Sequence, residues 1–230
     1  DEATILIVDG LGSEQQTHSI FKGSSSNGIQ YIAEQKGNGI GLLYSLITKA
    51  LGFKIGEEGK TMGLAPYGEP KYKKIIYDHL INVKADGSFK LNMDYFNYAV
   101  GLTMTNKKFD TLFGGSPRKP ESELTQKEMD IARSVQEVTE EIVLKMAKHV
   151  RKITQKKYLC LAGGVALNCV SNGKLLRSGI FDDIYIQPAS SDAGGALGCA
   201  LLTWYQYLDN ERIADNKTDS MKGTYLGPEY

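Results

Sequence analysis

The sequence lacks an excess of charge of either sign. Its 27 Lys and Arg residues match 27 Asp and Glu residues, so the formal net charge is zero. Because nucleic-acid binding relies on a basic surface that neutralises phosphates, no nucleic-acid partner is predicted. The sequence also lacks an apolar run near the roughly 20 residues that cross a bilayer, and it opens on Asp-Glu-Ala-Thr rather than on a basic and then apolar leader. We therefore expect a cytoplasmic protein that does not bind membranes.

Histidine and cysteine are sparse and scattered. The three histidines, His18, His79 and His149, show neither H-x-x-x-H nor H-E-x-x-H spacing. Any metal must therefore be held by carboxylates or by histidines from outside the chain. The three cysteines show no C-x-x-C spacing, and their apolar or glycine-rich surroundings predict small buried thiols in a reducing compartment. These cysteines are Cys160, Cys169 and Cys199.

Hydrophobic periodicity predicts alternating strands and helices. Runs rich in β-branched residues predict strands, and apolar residues at helical spacing predict helices. Thr125 and Glu128 form a capping-box pattern at the start of the longest helix. The predicted strands are 3–8, 16–22, 29–35, 158–161 and 184–187, and the predicted helices are 40–51, 125–154, 165–177 and 193–208.

This order of elements predicts an α/β fold with a ribonuclease-H-like layer. The first three strands have hairpin-length connections, whereas the last two belong to strand-helix units that require parallel pairing with right-handed crossovers. Such layers occur in nucleases and, as one half of a two-half nucleotide clamp, in the actin, sugar-kinase and heat-shock ATPase superfamily. Fold alone leaves these functions open. Residues 56–122 read as an irregular insertion with one helix near 71–82.

Two glycine-rich segments follow the last two strands. Gly163-Gly164 stands between a strand and a helix, where free amides can meet a nucleotide, although a plain tight turn has the same signature. Asn168, one turn later, can donate and accept hydrogen bonds. Asp192 opens the last helix, where a simple N-cap is the alternative to a ligand contact. The glycines at 194, 195 and 198 suggest close approach to another element or ligand. Asp9-Gly10 ends the first strand in a comparable position.

The segment GEEGKTMGLAPYG at 56–68 has two interpretations. As a generic loop it is flexible and solvated, but Lys60 among glycines also resembles an anion-handling loop. A Walker A loop is excluded because Lys54 stands where the first glycine of that motif is required.

Six motifs spread over nearly the whole chain resemble one family more specifically than any single motif does. The set is similar to that of the nodulation protein U and cephalosporin carbamoyltransferase family. The motifs are ILIVDG (5–10), GEEGKTMGLAPYG (56–68), FGGSPRKPES (113–122), LAGGVALNCVSNGKLL (161–176), QPASSDAGGALG (187–198) and YLGP (225–228).

The resemblance implies a reaction and a domain plan. Such enzymes join a Kae-type domain, built from two ribonuclease-H-like halves and similar to the tRNA threonylcarbamoyl transferase, to a YrdC-like domain. Carbamoyl phosphate and ATP give a carbamoyl-adenylate, and its carbamoyl group passes to a hydroxyl of a small acceptor. Residues 1–230 would be the second half of the Kae-type domain of an O-carbamoyltransferase, with 56–122 as an insertion.

The resemblance also implies roles for individual residues. Asp192 would bind a divalent metal, with iron as the expected ion, and Asp9 is a further candidate ligand. Arg118 is either a phosphate contact or a solvated loop cation. The residues that match the adenosine-binding motif are Gly163, Gly164 and Asn168, and the candidate contacts to ribose or phosphate are Glu58 and Lys60.

The family pattern places further parts outside this chain. Its His-x-x-x-His metal pair lies upstream of the segment that matches Asp1, and its YrdC-like domain lies downstream of Tyr230. We therefore expect one wall of the nucleotide cleft, part of the metal site and no activity from the chain alone. Rival interpretations are a sugar-kinase-like or heat-shock-like ATPase half, for which we see no counterpart of 56–68, and a non-catalytic remnant that acts as a binding module. The acceptor is not indicated, and a homodimer is one option for the oligomeric state.

Overall fold

The structure is a computed structural model that describes residues 2–12, 14–24, 26–213, 217–218, 221 and 228. The YLGP motif at 225–228 therefore lies outside the described residues except for its last position. The strands are β1 (Glu2–Val8), β2 (Gln16–Ser24), β3 (Gly28–Lys36), β4 (Ile81–Val83), β5 (Phe89–Leu91), β6 (Tyr158–Ala162) and β7 (Asp183–Ile186). The helices are α1 (Ile40–Ala50), α2 (Glu58–Leu64), α3 (Lys73–Ile75), α4 (Lys107–Leu112), α5 (Gln126–Thr154), α6 (Cys169–Arg177) and α7 (Ala193–Leu202).

Five of these strands form one mixed sheet in the order β3-β2-β1-β6-β7. The pairs β1-β2 and β2-β3 are antiparallel, and the pairs β1-β6 and β6-β7 are parallel. The predicted arrangement, three antiparallel strands followed by two parallel ones, is confirmed. Because β1, β6 and β7 run in the same direction, their carboxyl ends meet at one edge of the sheet.

Helix α5 is the centre of the hydrophobic core. It runs from Gln126 to Thr154, as predicted, and begins at a complete capping box in which Thr125 and Glu128 bond each other's backbone and side chains. Its apolar stripe packs with α1 against one face of the sheet, where Leu6 and Leu161 are buried. Burial of each such side chain contributes about 1.5–3 kcal/mol. This packing holds α1 and α5 against the strand ends.

Residues 56–122 are more regular than the sequence indicates. The helix expected near 71–82 is present as α3 and a π-helical turn over Ile76–Leu80, and β4 and β5 form a small antiparallel hairpin. The interpretation of 56–68 as a flexible loop is wrong, because Glu58–Leu64 is helical. Leu64 and Thr61 are buried, and the Thr61 hydroxyl lies 2.8 Å from that of Thr48 on α1. This tertiary contact outweighs the helix-weakening glycines.

The last two predicted helices are present with altered ends. Gly164–Leu167 forms a 3-10 turn before α6, and a π-helical turn over Thr203–Tyr207 follows α7. None of the residues Ala193–Leu202, all of them described, is buried. Leu202 and Trp204 are each more than half exposed. Helix α7 therefore presents an apolar surface to solvent.

The cysteines differ from the prediction of buried thiols. Cys160 is half-buried, whereas Cys169 and Cys199 are exposed, and all three are free. The prediction is wrong for Cys199 because α7 is uncovered, and for Cys169 because it lies on the solvent side of the first turn of α6. Burial raises the pKa of the Cys160 thiol. No helix among the described residues is both long and apolar enough to span a membrane.

Candidate functional site

A cavity, here called the cleft, opens at the sheet edge where β1 and β6 end. Its volume is about 540 Å³, which falls within the range of roughly 300–1,000 Å³ typical of small-molecule sites. Helices α1, α2 and α5 supply the remaining walls. Its polar lining includes Asp9, Tyr44, Glu58, Gly164, Asn168 and Ser191.

The Gly163-Gly164 turn joins the ends of β6 and β7. The Gly163 amide donates to the Ser190 carbonyl at 2.7 Å, so the turns that follow these two strands touch. Gly163 has φ 91°, and a Cβ there would stand 2.3 Å from the Val8 carbonyl oxygen. Only glycine fits this approach of the turn to β1. Both glycine-rich turns therefore lie at the same edge of the sheet, as the parallel pairing of β6 and β7 requires.

Asp9 and Ser191 face the cleft on either side of Gly164. A Cβ on Gly164 would lie 3.1 Å from Asp9 Oδ1 and 3.7 Å from Ser191 Oγ. The Asp9 carboxylate is oriented by the amide of Gly10, which donates to Oδ1 at 2.7 Å. The cleft therefore combines a carboxylate, a hydroxyl and exposed backbone within a few ångströms.

Asp192 is exposed and stands next to Ser191, at the start of α7. Its side chain makes no cap hydrogen bond with the helix, so the N-cap alternative gains no support from the structure. Close backbone approach explains Gly194, where a Cβ would lie 2.2 Å from the Ala189 carbonyl oxygen. Around Gly195 and Gly198 the space is open.

Glu58 and Lys60 start from the same helix and point to different surroundings. Glu58 lines the cleft, and its Oε1 accepts from Ser45 Oγ at 2.6 Å. Lys60 is exposed and pairs with Glu57 at 2.7 Å. Neither of these two residues lines the cleft. A backbone hydrogen bond from Lys54 and the pairing with Lys60 lower the pKa of Glu57. Of the two candidate ribose or phosphate contacts, only Glu58 faces the cleft.

Arg118 closes a loop beside α1. Its Nε donates to the Leu51 carbonyl at 2.6 Å, and its guanidinium stacks over the Phe53 ring with 5.3 Å to the centroid. The Arg118 amide donates to the Ala50 carbonyl at 3.0 Å. These bonds use Arg118 to hold the end of α1, away from the residues that line the cleft.

A polar network lies under the cleft, and its members Gln136 and Tyr44 were not predicted from the sequence. Asn168 caps α6 by accepting from the Ser171 amide, and its amide forms a reciprocal pair with that of Gln136 on α5. The Tyr44 hydroxyl donates to Gln136 at 2.8 Å. Burial, with the nearby carboxylates of Glu140 and Glu58, raises the pKa of Tyr44, so the phenol stays protonated and donates.

The carboxylates near the cleft fit a metal only in part. Carboxylate oxygens suit hard divalent cations, and carboxylates combined with imidazoles suit iron. Within the described part of the chain, no three His, Cys, Asp or Glu side chains are grouped so as to hold a metal ion. The three histidines line a different cavity beside the β4-β5 hairpin. Asp9 lines the cleft, whereas Asp192 is exposed and lies outside the cleft lining.

Comparisons with known proteins identify the family. Residues 1–201 match the family described as "Carbamoyltransferase N-terminus". The chain is 55% identical over 231 residues to an uncharacterized protein of Synechocystis, 36% identical over 229 residues to nodulation protein NolO of Bradyrhizobium diazoefficiens, and 35% identical over 229 residues to nodulation protein NolNO of Sinorhizobium fredii. The chain belongs to the carbamoyltransferase family.

The matches cover all of this chain but only part of each relative. Each covers 100% of this chain but only 37%, 39% and 31% of the respective relatives, so the chain spans about a third of the proteins it resembles. Family membership favours the carbamoyltransferase interpretation over a sugar-kinase-like or heat-shock-like ATPase half.

Proposed function

We propose that this chain is the nucleotide-binding part of an O-carbamoyltransferase that works in the cytoplasm. The observation that carries the proposal is the cleft itself: in a chain of the carbamoyltransferase family, Asp9, Gly164 and Ser191 converge at the carboxyl ends of parallel strands. Open α/β sheets bind their ligands at this edge. A cavity of about 540 Å³ is large enough for a nucleoside.

The proposed fold is a ribonuclease-H-like layer, one half of a two-half Kae-type domain. The strand order β3-β2-β1-β6-β7, with three antiparallel strands beside two parallel ones, supports this assignment. In a two-half clamp, the cleft described here would be one wall of the nucleotide site. The opposite wall and a YrdC-like domain would belong to the same polypeptide.

The candidate residues in and beside the cleft have proposed roles. The Gly164 backbone and the Asn168 side chain would hold adenosine, and Glu58 would accept from a ribose hydroxyl. The Gly163 amide, which donates to the Ser190 carbonyl, would hold the turn in position beside them. Asp9 and Asp192 would bind a divalent metal, with iron as the proposed ion. That metal would act as a Lewis acid toward the carbamoyl oxygen.

The proposed reaction has two stages in the complete protein. Carbamoyl phosphate, ATP and one water give carbamoyl-adenylate, phosphate and pyrophosphate. The hydroxyl oxygen of a small acceptor then bonds to the carbamoyl carbon, the bond from that carbon to AMP breaks, and the acceptor proton passes to a base. In this scheme the cleft holds the carbamoyl-adenylate in place while the acceptor attacks its carbamoyl carbon. The isolated chain would not catalyse either stage.

Two assays of the full-length protein test the proposal, and the first of them does not require the acceptor. The full-length protein, with carbamoyl phosphate and ATP, should release pyrophosphate only when both substrates are present. Asp192→Asn should lower carbamoyl transfer to a panel of alcohols. Asp183→Asn is the matched control, because Asp183 begins β7 at the opposite edge of the sheet and should leave transfer unchanged. Pyrophosphate release that is independent of carbamoyl phosphate would contradict the proposal.

A further inference from the structure

A continuous chain of hydrogen bonds runs beneath the cleft from Lys174 to Asn168. Lys174 Nζ donates to Glu140 Oε2 at 3.0 Å, and Glu140 Oε1 accepts from Gln136 Nε2 at 2.9 Å. Paired with an ammonium group, the Glu140 carboxylate can only accept hydrogen bonds. The nitrogen of the Gln136 amide must therefore face Glu140.

The orientation of Gln136 follows from both ends of its amide. Its Oε1 accepts from the Tyr44 hydroxyl at 2.8 Å and from Asn168 Nδ2 at 3.0 Å. Its Nε2 donates to Glu140 and, at 3.1 Å, to Asn168 Oδ1. Gln136 is fully buried, and both of its donors and both of its acceptors are used. Rotating its amide by a half-turn would place oxygen against the Glu140 carboxylate.

Asn168 is oriented by two donors. The Ser171 backbone amide, which can only donate, reaches Asn168 Oδ1 at 3.0 Å, and Gln136 Nε2 reaches the same oxygen. These two bonds occupy both lone pairs of Oδ1. Of the two hydrogens on Nδ2, one bonds Gln136, and the other has no partner among the described residues. Asn168 is half-buried and lines the cleft, so this remaining hydrogen is the one that a ligand can meet.

We infer that Gln136 is a positioning residue that makes Asn168 a pure hydrogen-bond donor toward the ligand. The inference rests on the proposed nucleotide-binding function and deepens it. The ligand atom that meets Asn168 must be an acceptor, such as a ring nitrogen of the base or a ribose oxygen. The exocyclic amino group of adenine, which donates, does not fit this position. Asn168 alone, read from the sequence, could have donated or accepted.

Binding of ATP to the full-length protein tests this inference. Asn168→Asp keeps an acceptor for the Ser171 cap but removes the donor, and Gln136→Met keeps the volume but removes the orienting amide. Each should weaken ATP binding about tenfold, the value of one hydrogen bond. The double variant should be weakened by about the same factor, because both changes remove one interaction. Ser134→Ala, another buried polar loss on α5 away from the cleft, should leave affinity unchanged.

Nucleotide analogues identify the polarity of the contact. Each analogue in the 1-deaza, 3-deaza, 7-deaza and 2′-deoxy series of ATP lacks one hydrogen-bond acceptor. For at least one of them, wild type and Asn168→Asp should bind with equal affinity. The loss of affinity caused by Asn168→Asp should persist for purine riboside triphosphate, which lacks only the amino group. Disappearance with purine riboside triphosphate alone would show that Asn168 accepts, and would overturn the inference.

The two hypotheses fail in different ways. Wild-type protein that binds no ATP would contradict the proposed function. Wild-type protein that binds ATP, with folded Asn168→Asp protein of equal affinity, would contradict only the role of Asn168 as a donor. A tenfold loss in each single variant and a hundredfold loss in the double variant would show that Gln136 does not act through Asn168. Melting temperatures of all variants identify those that fold, and Asn168→Asp with the analogue series tests the donor role even if Gln136→Met does not.

Discussion

The Asp9 carboxylate lies directly opposite Gly164, with Oδ1 3.1 Å from the point where a Cβ on residue 164 would stand. Any side chain at position 164 therefore displaces the carboxylate that the proposed metal needs. Asp9 directly follows β1, and its amide donates to the Thr17 carbonyl at 2.9 Å, so its backbone is held at the end of the sheet. The side chain must absorb the change instead.

Alanine at positions 163 and 164 should have separable effects. Gly163→Ala would place Cβ 2.3 Å from the Val8 carbonyl at φ 91°, so we expect a loss of unfolding free energy of about 2 kcal/mol or more. Gly164→Ala meets only side-chain atoms, those of Asp9 and Ser191, and should cost about 1 kcal/mol or less, while weakening binding of metal and nucleotide. Urea denaturation and ligand titration measure the two quantities. Equal destabilisation by both changes would refute the distinction.

Asp192 should be replaceable without loss of stability. Because its side chain makes no cap hydrogen bond, Asp192→Ala should lower the unfolding free energy by less than the roughly 1 kcal/mol typical of a lost N-cap. Asp192→Asn and Asp192→Ala should both reduce bound metal and transfer by the full-length protein. Metal analysis of purified variants, together with thermal melts, checks this expectation. An Asn variant with normal metal content and turnover would remove Asp192 from the ligand set.

The two charged residues of α2 should differ in their effect on nucleotide binding. Glu58→Gln alters a carboxylate that lines the cleft and accepts from Ser45, so ATP affinity should fall several-fold. Lys60→Ala removes an exposed pair with Glu57, and exposed pairs add little to stability because water screens them. Its ATP affinity should be unchanged. Calorimetric titration of both variants decides the matter, and a larger loss in Lys60→Ala would assign phosphate binding to Lys60.

His18 should make stability depend on pH. Burial lowers the pKa of His18 in the folded protein, an effect partly opposed by Asp86 and reinforced by His149. The unfolded chain keeps the ordinary value of about 6.5 and binds the proton more tightly. The free energy of unfolding should therefore decrease as pH falls below about 6.5, until the lower folded pKa is reached. His18→Gln should reduce this slope in denaturation curves between pH 5 and 8. An identical slope in the variant would show that His18 is not responsible.

The strands and the long helix were predictable because their signals are local. Alternation and β-branched residues mark β1 and β6, and the Thr125-Glu128 capping box marks the start of α5. The sheet edge followed from parallel pairing alone, so the convergence of Asp9 with the Gly164 turn could be anticipated in outline. The sequence does not reveal whether Ser191 or its neighbour Asp192 lines the cleft, because that depends on the exact residue at which β7 ends.

Gln136 could not be found from the sequence, because its role is entirely tertiary. It stands in a polar position on a long helix, where glutamine ordinarily faces solvent. Its partner Asn168 is 32 residues away in sequence and caps another helix. Helix α2 was missed for a related reason, since its glycines weaken local propensity and its stability comes from packing of Leu64 and Thr61.

The exposed apolar surface of helix α7 affects the solubility of the chain. Leu201, Leu202 and Trp204 lie within four residues of one another and are each at least 44% exposed, next to a groove lined by Tyr185 and Ile184 of the sheet. Apolar surface of this kind attracts other apolar surface regardless of sequence. In solution, residues 1–230 by themselves should therefore associate and scatter light as their concentration rises. Dilute samples and a light-scattering control belong in every binding experiment made with them.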